Sequence, residues 1–208
     1  MIDHLLKFFV TFLVVVEPIG VIPIFIAVTE GVAEKERRRM ARKGVMIAGG
    51  IFLLFAFVGS QFLRVLGISL DAFRIFGGLL LLLIALEMVF ARESGSRSSN
   101  PEVEEGKARA DISVFPLATP LIAGPGAISA VILLATAEGA FSIGWVLVVA
   151  AMLLILVLCY MAMLVAIPIQ RLLGITGLAV VSRVVGVLLA ALAIQFLIDG
   201  IRTANIFG

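Results

Sequence analysis

An apolar run near the N-terminus is interrupted by Glu-Pro-Ile-Gly-Val-Ile-Pro, residues 17–23. A second apolar run, about a hundred positions later, is interrupted by Thr-Pro-Leu-Ile-Ala-Gly-Pro-Gly, residues 119–126. In both stretches four residues separate two prolines, and one of the four is a glycine. Because proline has no backbone N–H and clashes with the preceding turn, a helix cannot run undisturbed through either stretch.

Paired breaks of this kind predict a binding site within a membrane. In hydrocarbon, a broken backbone is tolerated only where it is buried in protein or lines a wet cavity. Matched interruptions in corresponding spans are the best sequence pointer to the central site of a secondary transporter. We therefore expect the two broken spans to meet near the bilayer midplane.

Composition places the chain in a lipid bilayer. It has 208 residues, of which 62% are hydrophobic and 14% charged, and its mean hydropathy is +1.22. Soluble domains have roughly 45–50% apolar and about 25% charged residues. The single histidine and single cysteine, His4 and Cys159, form no metal-binding pattern, and no phosphate-binding loop motif is present. We expect no cofactor, no metal and no enzymatic activity, since catalysis needs positioned titratable groups.

Six stretches are long enough to cross the ~30 Å hydrocarbon core, for which about 20 residues suffice. The predicted spans are residues 5–28, 44–66, 70–91, 113–136, 142–168 and 182–205. The first and fourth contain the breaks, and either could instead be a re-entrant hairpin. Residues 92–111 form the long polar connection, which we predict to be a flexible loop.

The basic residues predict the orientation of the spans. With six spans, Lys7, Arg64, Arg74 and Arg202 fall on one side, and the other twelve lysines and arginines fall on the opposite side. The positive-inside rule then predicts that both termini lie outside and that the 1–2, 3–4 and 5–6 loops are cytoplasmic. We interpret the cluster at 35–43 as a topology determinant beside anionic lipid and not as a nucleic-acid patch.

An internal repeat divides the predicted spans into two halves. Residues 74–80 and 183–189 share the pattern Arg-x-x-Gly-x-Leu-Leu, and the proline pairs match at 18–23 and 120–125. Three spans per half make the halves inverted relative to one another. The predicted domains are 1–91 and 112–208, joined by the loop at 92–111. Gly49, Gly50, Gly77, Gly78 and Gly186 are predicted to allow close approach of helices.

Glu17 is the acidic residue nearest the middle of a predicted span, about twelve residues into it at 1.5 Å per residue. A carboxylate at that depth costs several kcal/mol unless it is paired, hydrated or protonated. Burial favours its protonated form, so we interpret Glu17 as a proton carrier or as the contact for a substrate ammonium group. The alternative is a neutral acid that only caps the second half-helix.

The two half-helices after the breaks are predicted to begin near Gly20 or Val21 and near residues 124–126. Their N–H groups and positive dipole ends suit a carboxylate, and carbonyls freed by the prolines suit an ammonium group. A small zwitterion satisfies both, although two kinks that only shape the bundle are the alternative. The candidate substrate-binding residues are Glu17, Pro18, Gly20, Pro23, Thr119, Pro120, Gly124, Pro125, Gly126, Ser129 and Gln195.

These motifs resemble the MarC family of membrane proteins, which is also classed with neutral amino acid transporters. The resemblance rests on residues 18–23, 115–126, 74–78, 182–186 and 195–201, and it covers nearly the whole chain. It implies six spans in an inner or plasma membrane and, for some relatives, proton-coupled uptake of glycine, alanine and similar amino acids. Relatives usually have Asn or Asp at the position of Glu17, and commonly Asn at the position of Asp199.

The sequence therefore predicts an all-α membrane protein with six spans in two inverted triplets. Its expected partners are a small neutral amino acid, a proton or another cation, and the lipid bilayer. A monomer and an oligomer are both open, and no nucleic acid is expected. The leading function is secondary transport of small neutral amino acids. A passive channel or exporter of small solutes is the main alternative, and a membrane enzyme or an assembly subunit are others.

Overall fold

The computed structural model describes residues 2–90 and 111–204, with the side chain of Ile175 left out. Every regular element in these ranges is a helix. The eight helices are α1 (Ile2–Val16), α2 (Val21–Val28), α3 (Glu34–Val65), α4 (Leu70–Phe90), α5 (Ser113–Ile122), α6 (Pro125–Glu138), α7 (Ile143–Leu164) and α8 (Ala166–Thr203). The predicted flexible loop falls on 92–111, of which only Asp111 belongs to the described residues.

Within residues 2–90 and 111–204, four helices are long and apolar enough to cross a membrane: α3, α4, α7 and the part of α8 from Thr176 to Thr203. Two bent pairs pass the same test together, α1 with α2 at 43° and α5 with α6 at 60°. The all-α prediction is confirmed, with four spans or up to six if each bent pair is one span. Crossing and re-entry of each bent pair both stay predictions.

The last helix differs from its predicted bounds. We expected spans over 142–168 and 182–205, but α7 ends at Leu164 and α8 already begins at Ala166. Gly174, at φ +65° and ψ 177°, turns the chain within α8, which is a conformation that glycine adopts without a Cβ clash. Arg183 therefore lies inside α8 and is exposed there, instead of at the start of a helix.

The two interrupted pairs form the interior of the bundle. Among the largest fully buried side chains are Phe12 in α1, Ile22 and Phe25 in α2, and Leu117 in α5. The pairs also contact each other, α1 against α6 and α2 against α5. The longer helices surround them: α7 packs on α1 and α2, α3 on α5 and α6, α8 on α1 and α2, and α4 on α6.

The helices α4 and α8 form the most extensive pair, and they run antiparallel. A Cβ atom at Gly78 would lie 2.9 Å from the carbonyl oxygen of Ala193, and one at Gly186 would lie 2.9 Å from the Cβ of Met88. Both glycines thus allow close approach, as predicted, because interhelical packing in lipid depends on van der Waals contact. Gly50 does not, since nothing lies within 4 Å of its Cβ position.

Candidate functional site

The first break lies between α1 and α2. The N–H of Glu17 donates to the Leu13 carbonyl at 3.0 Å and completes α1, while its own carbonyl accepts from the Gly20 N–H at 3.0 Å. The backbone of Glu17 is left-handed, at φ +51°. Because α2 begins at Val21 directly after Gly20, the predicted start of this half-helix is confirmed.

The carboxyl group of Glu17 is buried at this break, with the residue only 2% exposed. It lies over Gly20: a Cβ atom there would be 2.6 Å from Oε2 and 3.1 Å from Oε1. The absence of a side chain on Gly20 therefore creates the space that the acid occupies. The structure thus brings Glu17 and Gly20 together at the first turn of α2, and the buried Pro18 lies between them in the chain.

The second break is longer and begins within α5. Phe115 and Thr119 have extended backbones, near φ −130° and ψ 129°, and each precedes a proline. Proline pushes the preceding residue out of the helical region, which explains both positions. The remaining turns are widened, since the Leu117 N–H donates to the Ile112 carbonyl at 3.2 Å and the Ala123 N–H to the Ala118 carbonyl at 2.8 Å.

The half-helix α6 begins at Pro125, as the sequence predicts. Proline suits the first helical position because its missing N–H would have no helical partner there. Gly124 precedes it, and a Cβ atom at Gly124 would lie 2.6 Å from the Pro120 carbonyl oxygen. A Cβ atom at Gly126 would lie 2.9 Å from Leu81 and Ile84 of α4. Protein atoms therefore fill the space beside all three predicted site glycines.

A cavity of about 490 Å³ opens beside the second break. Four of the predicted residues line it: Thr119, Pro120, Pro125 and Ser129. The other lining residues are apolar side chains from α3 through α6, among them Phe55, Phe62, Leu63, Phe76 and Leu80. Sequence reasoning missed these, because a phenylalanine or leucine that lines a cavity has the same character as one that faces lipid.

The two polar residues in this cavity differ in their surroundings. The Thr119 hydroxyl donates to the Val114 carbonyl at 3.3 Å, so part of its hydrogen-bonding capacity serves the widened turn. Ser129 is 4% exposed and lies one turn into α6. None of the described residues that line this cavity is charged.

Two predicted residues are exposed, one in the first turn of α2 and the other on α8. Pro23 is exposed on α2, and Gln195 is exposed on α8, where its Nε2 donates to Asp199 Oδ1 at 2.7 Å. Asp199 belongs to a polar group at the end of α8 that also contains Thr203, whose hydroxyl donates to Asp71 of α4. The structure therefore places Gln195 in an outer network that joins α8 to itself and to α4.

Buried polar side chains are confined to the two interrupted pairs. Among the described residues they are Thr11, Glu17, Thr29, Ser113 and Ser129, and each lies in or at the end of α1, α2, α5 or α6. Thr11 and Thr29 donate to carbonyls one turn earlier, at 2.9 and 2.6 Å. Burial of polar groups is costly unless they are hydrogen-bonded or used. Of these five residues, Glu17 lies at the first break and Ser129 lies one turn into α6, beside the second break.

Comparison with known proteins shows the family of the chain. A family model described as MarC family integral membrane protein matches residues 2–205. The chain belongs to the MarC family. The motifs at 18–23 and 115–126 thus identified the family correctly. Both breaks and the residues that line the cavity lie within the region that matches the MarC family.

Several relatives are named UPF0056 membrane protein. One from Methanocaldococcus jannaschii is 40% identical over 190 residues, which is 91% of this chain and 92% of the relative. The Escherichia coli protein YhcE is 36% identical over 196 residues, covering 94% and 91%. One from Aquifex aeolicus is 32% identical over 196 residues, also covering 94% and 91%. No solved structure matches the MarC chain.

Proposed function

We propose that this MarC family protein is a secondary transporter of small neutral amino acids, such as glycine or alanine, coupled to protons. One observation carries the proposal: the buried polar side chains of the described residues all belong to the two interrupted pairs at the centre of the bundle. Broken helices at the centre of a membrane protein supply polar backbone that an unbroken bundle does not.

Different groups at the two breaks would bind the two charges of a zwitterionic substrate. The amino termini of α2 and α6 present N–H groups and positive dipole ends, which suit a substrate carboxylate. Glu17 lies at the first turn of α2, where it would contact the substrate ammonium group or exchange the coupled proton. Thr119 and Ser129 line the cavity at the second break and would supply hydroxyl groups.

The pattern of helix contacts supports two inverted halves. Exchange of α1–α4 with α5–α8 maps the α1–α7 contact onto α5–α3, and α2–α8 onto α6–α4. The same exchange maps α1–α6 onto α5–α2, while α3–α7 and α4–α8 map onto themselves. We propose that 1–91 and 112–208 are inverted repeats, and that the basic side predicted above is cytoplasmic.

A passive channel or exporter of small solutes is the second candidate. The cavity at the second break favours it, since Thr119 and Ser129 are the polar residues of an otherwise apolar lining that contains no charged side chain. Such a path would not need the carboxylate of Glu17. The two candidates therefore differ in whether a proton gradient changes the flux.

Proteoliposomes loaded at controlled pH test both. We expect purified protein to take up radiolabelled alanine faster when an inward proton gradient is imposed. In Glu17→Gln the stimulated rate should be at least tenfold lower. The matched control is Glu30→Gln, because Glu30 is an exposed acid just beyond α2. An uptake rate that does not change with the proton gradient would support the channel. Full stimulation in Glu17→Gln would show that Glu17 is not needed for proton coupling.

A further inference from the structure

A groove between α3 and α7 begins at a cluster of basic residues. Its polar end is a pocket of about 480 Å³ lined by Lys35, Glu36, Arg38, Arg39, Arg42 and Tyr160. Its apolar continuation, of about 620 Å³, shares Arg42 and Tyr160 with that pocket and extends to Leu53 on α3 and Leu153 on α7. The two spaces therefore form one groove with a basic head and an apolar body.

The charge of the basic end is only partly neutralised. Arg38 pairs with Glu34, Arg39 Nη1 lies 3.7 Å from Glu36 Oε2, and Lys43 pairs with Asp111. Arg42 takes part in none of the ion pairs formed by the described residues. It is exposed and stands where the two spaces join, so its guanidinium group can bind an anion such as phosphate in two-pronged geometry.

The length of the apolar body corresponds to one leaflet. Arg42 and Leu53 are separated by eleven positions along α3, which is about 16 Å at 1.5 Å per residue and about half of the ~30 Å hydrocarbon core. Gly49 and the adjacent Gly50 form part of the lining, and the space beside Gly50 is open. Beyond this region Trp145 and Phe57 pack ring to ring, with centroids 4.7 Å apart.

We propose that this groove binds an anionic phospholipid. Its phosphate lies against Arg42, with Lys35, Arg39 and the Tyr160 hydroxyl around it, and one acyl chain lies along the path from Val45 to Leu53. Basic pockets between membrane helices recognise anionic head groups by this chemistry. Charge complementarity at one end and an open apolar groove at the other select a phospholipid over a free anion or an uncharged lipid.

Native mass spectrometry of the delipidated, detergent-solubilised protein tests the proposal. The protein is incubated with equal amounts of phosphatidylglycerol and phosphatidylcholine that carry identical acyl chains. We expect wild type to retain phosphatidylglycerol in preference to phosphatidylcholine. In Arg42→Gln the ratio of the two retained lipids should fall about fivefold, as loss of one basic residue near an anionic surface implies. Gly50→Leu fills the open space and should reduce retention of both lipids.

Two control variants separate the groove from general effects. Arg64→Gln removes an exposed arginine at the other end of α3, and Ala191→Leu adds bulk to an exposed position on α8. Both should retain lipid as wild type does, and all four variants should melt within a few degrees of wild type. Millimolar inorganic phosphate should leave the lipid adduct in place.

Three results would overturn the proposal. Unchanged phosphatidylglycerol preference in Arg42→Gln would remove the head-group contact. Displacement of the adduct by inorganic phosphate alone would indicate a simple anion site. Loss of a protein dimer in Gly50→Leu, with lipid adducts unchanged, would show that a second copy of the chain occupies the groove.

Discussion

Lys43 Nζ and Asp111 Oδ2 form an ion pair that joins α3 to the residue two positions before α5. Asp111 also accepts a hydrogen bond from the Ser113 N–H at 2.9 Å, which positions the first residue of α5. One ion pair thus ties the second half of the chain to α3, which belongs to the first half. The Lys43 hydrogen bond, followed by those from Ser113, holds the pKa of Asp111 well below its ordinary value.

The stability that this pair contributes should depend on pH in one direction. Because the folded state lowers the pKa of Asp111, its contribution is fully present above the unfolded pKa of about 4 and is lost as the pH falls below it. Both side chains are about half exposed, so the expected loss in Asp111→Asn at pH 7 is under about 1 kcal/mol. Thermal melts from pH 7 to pH 3 measure it.

The charge-reversed double variant Lys43→Asp with Asp111→Lys provides the control for that measurement. It should recover the ion-pair part of the stability that either single change loses at pH 7, but not the Ser113 hydrogen bond, because lysine has no acceptor. Glu30→Gln, at an exposed acid that takes part in none of the ion pairs formed by the described residues, should leave the pH dependence as in wild type. An unchanged melting curve for Asp111→Asn throughout this range would contradict the assigned role of the pair.

Gly20→Ala should disturb the first break through Glu17. The new Cβ would lie 2.6 Å from the carboxyl oxygen Oε2, so the acid must leave its position, at a cost of about 1–3 kcal/mol. In a Glu17→Ala background the same change should be nearly neutral, because the clashing atoms are gone. Thermal unfolding of the four proteins of this cycle measures the coupling, and additive effects would mean that the two residues act separately.

The left-handed backbone of Glu17 predicts an order among its uncharged replacements. This conformation costs an ordinary L-residue roughly 1–2 kcal/mol, and asparagine tolerates it better than glutamine does. We therefore expect Glu17→Asn to melt at a higher temperature than Glu17→Gln, although both remove the acid. Equal melting temperatures would indicate that the backbone at this position relaxes without strain.

Gly78→Ala should weaken the pairing of α4 with α8. Its Cβ would lie 2.9 Å from the Ala193 carbonyl oxygen, and a backbone atom in a helix cannot move aside cheaply, so we expect a loss of about 1–3 kcal/mol. Gly50→Ala is the matched control, because that site is open and alanine favours a helix by about 0.5–1 kcal/mol. Detergent-based thermal melts should therefore shift in opposite directions.

The breaks were predictable from sequence because they follow from a missing atom. Proline has no N–H to donate, so regular helical hydrogen bonding had to be interrupted near residues 17 and 120. The starts of α2 at Val21 and α6 at Pro125 followed for the same reason. The burial of Glu17 also followed, since a carboxylate within an apolar run has no inexpensive position facing lipid.

Which face of each helix is buried was not predictable in the same way. In a soluble helix an apolar stripe marks the buried side, but α6, α7 and α8 are apolar on nearly every face. Sequence therefore could not show that Gln195 lies on an exposed face or that Gly50 faces an open groove. Nor could it show that Glu17 occupies the space beside Gly20, since that contact depends on the turn between them.

The central position of the first interrupted pair has a consequence for biogenesis. α1 and α2 leave the ribosome first, whereas α6, α7 and α8, against which they pack, are synthesised last. Until those helices are made, the first break and Glu17 lie in the membrane without the helices that later bury them. In a chain truncated after α4, this segment should therefore be accessible to water-soluble reagents. In the full-length chain it should be inaccessible to them.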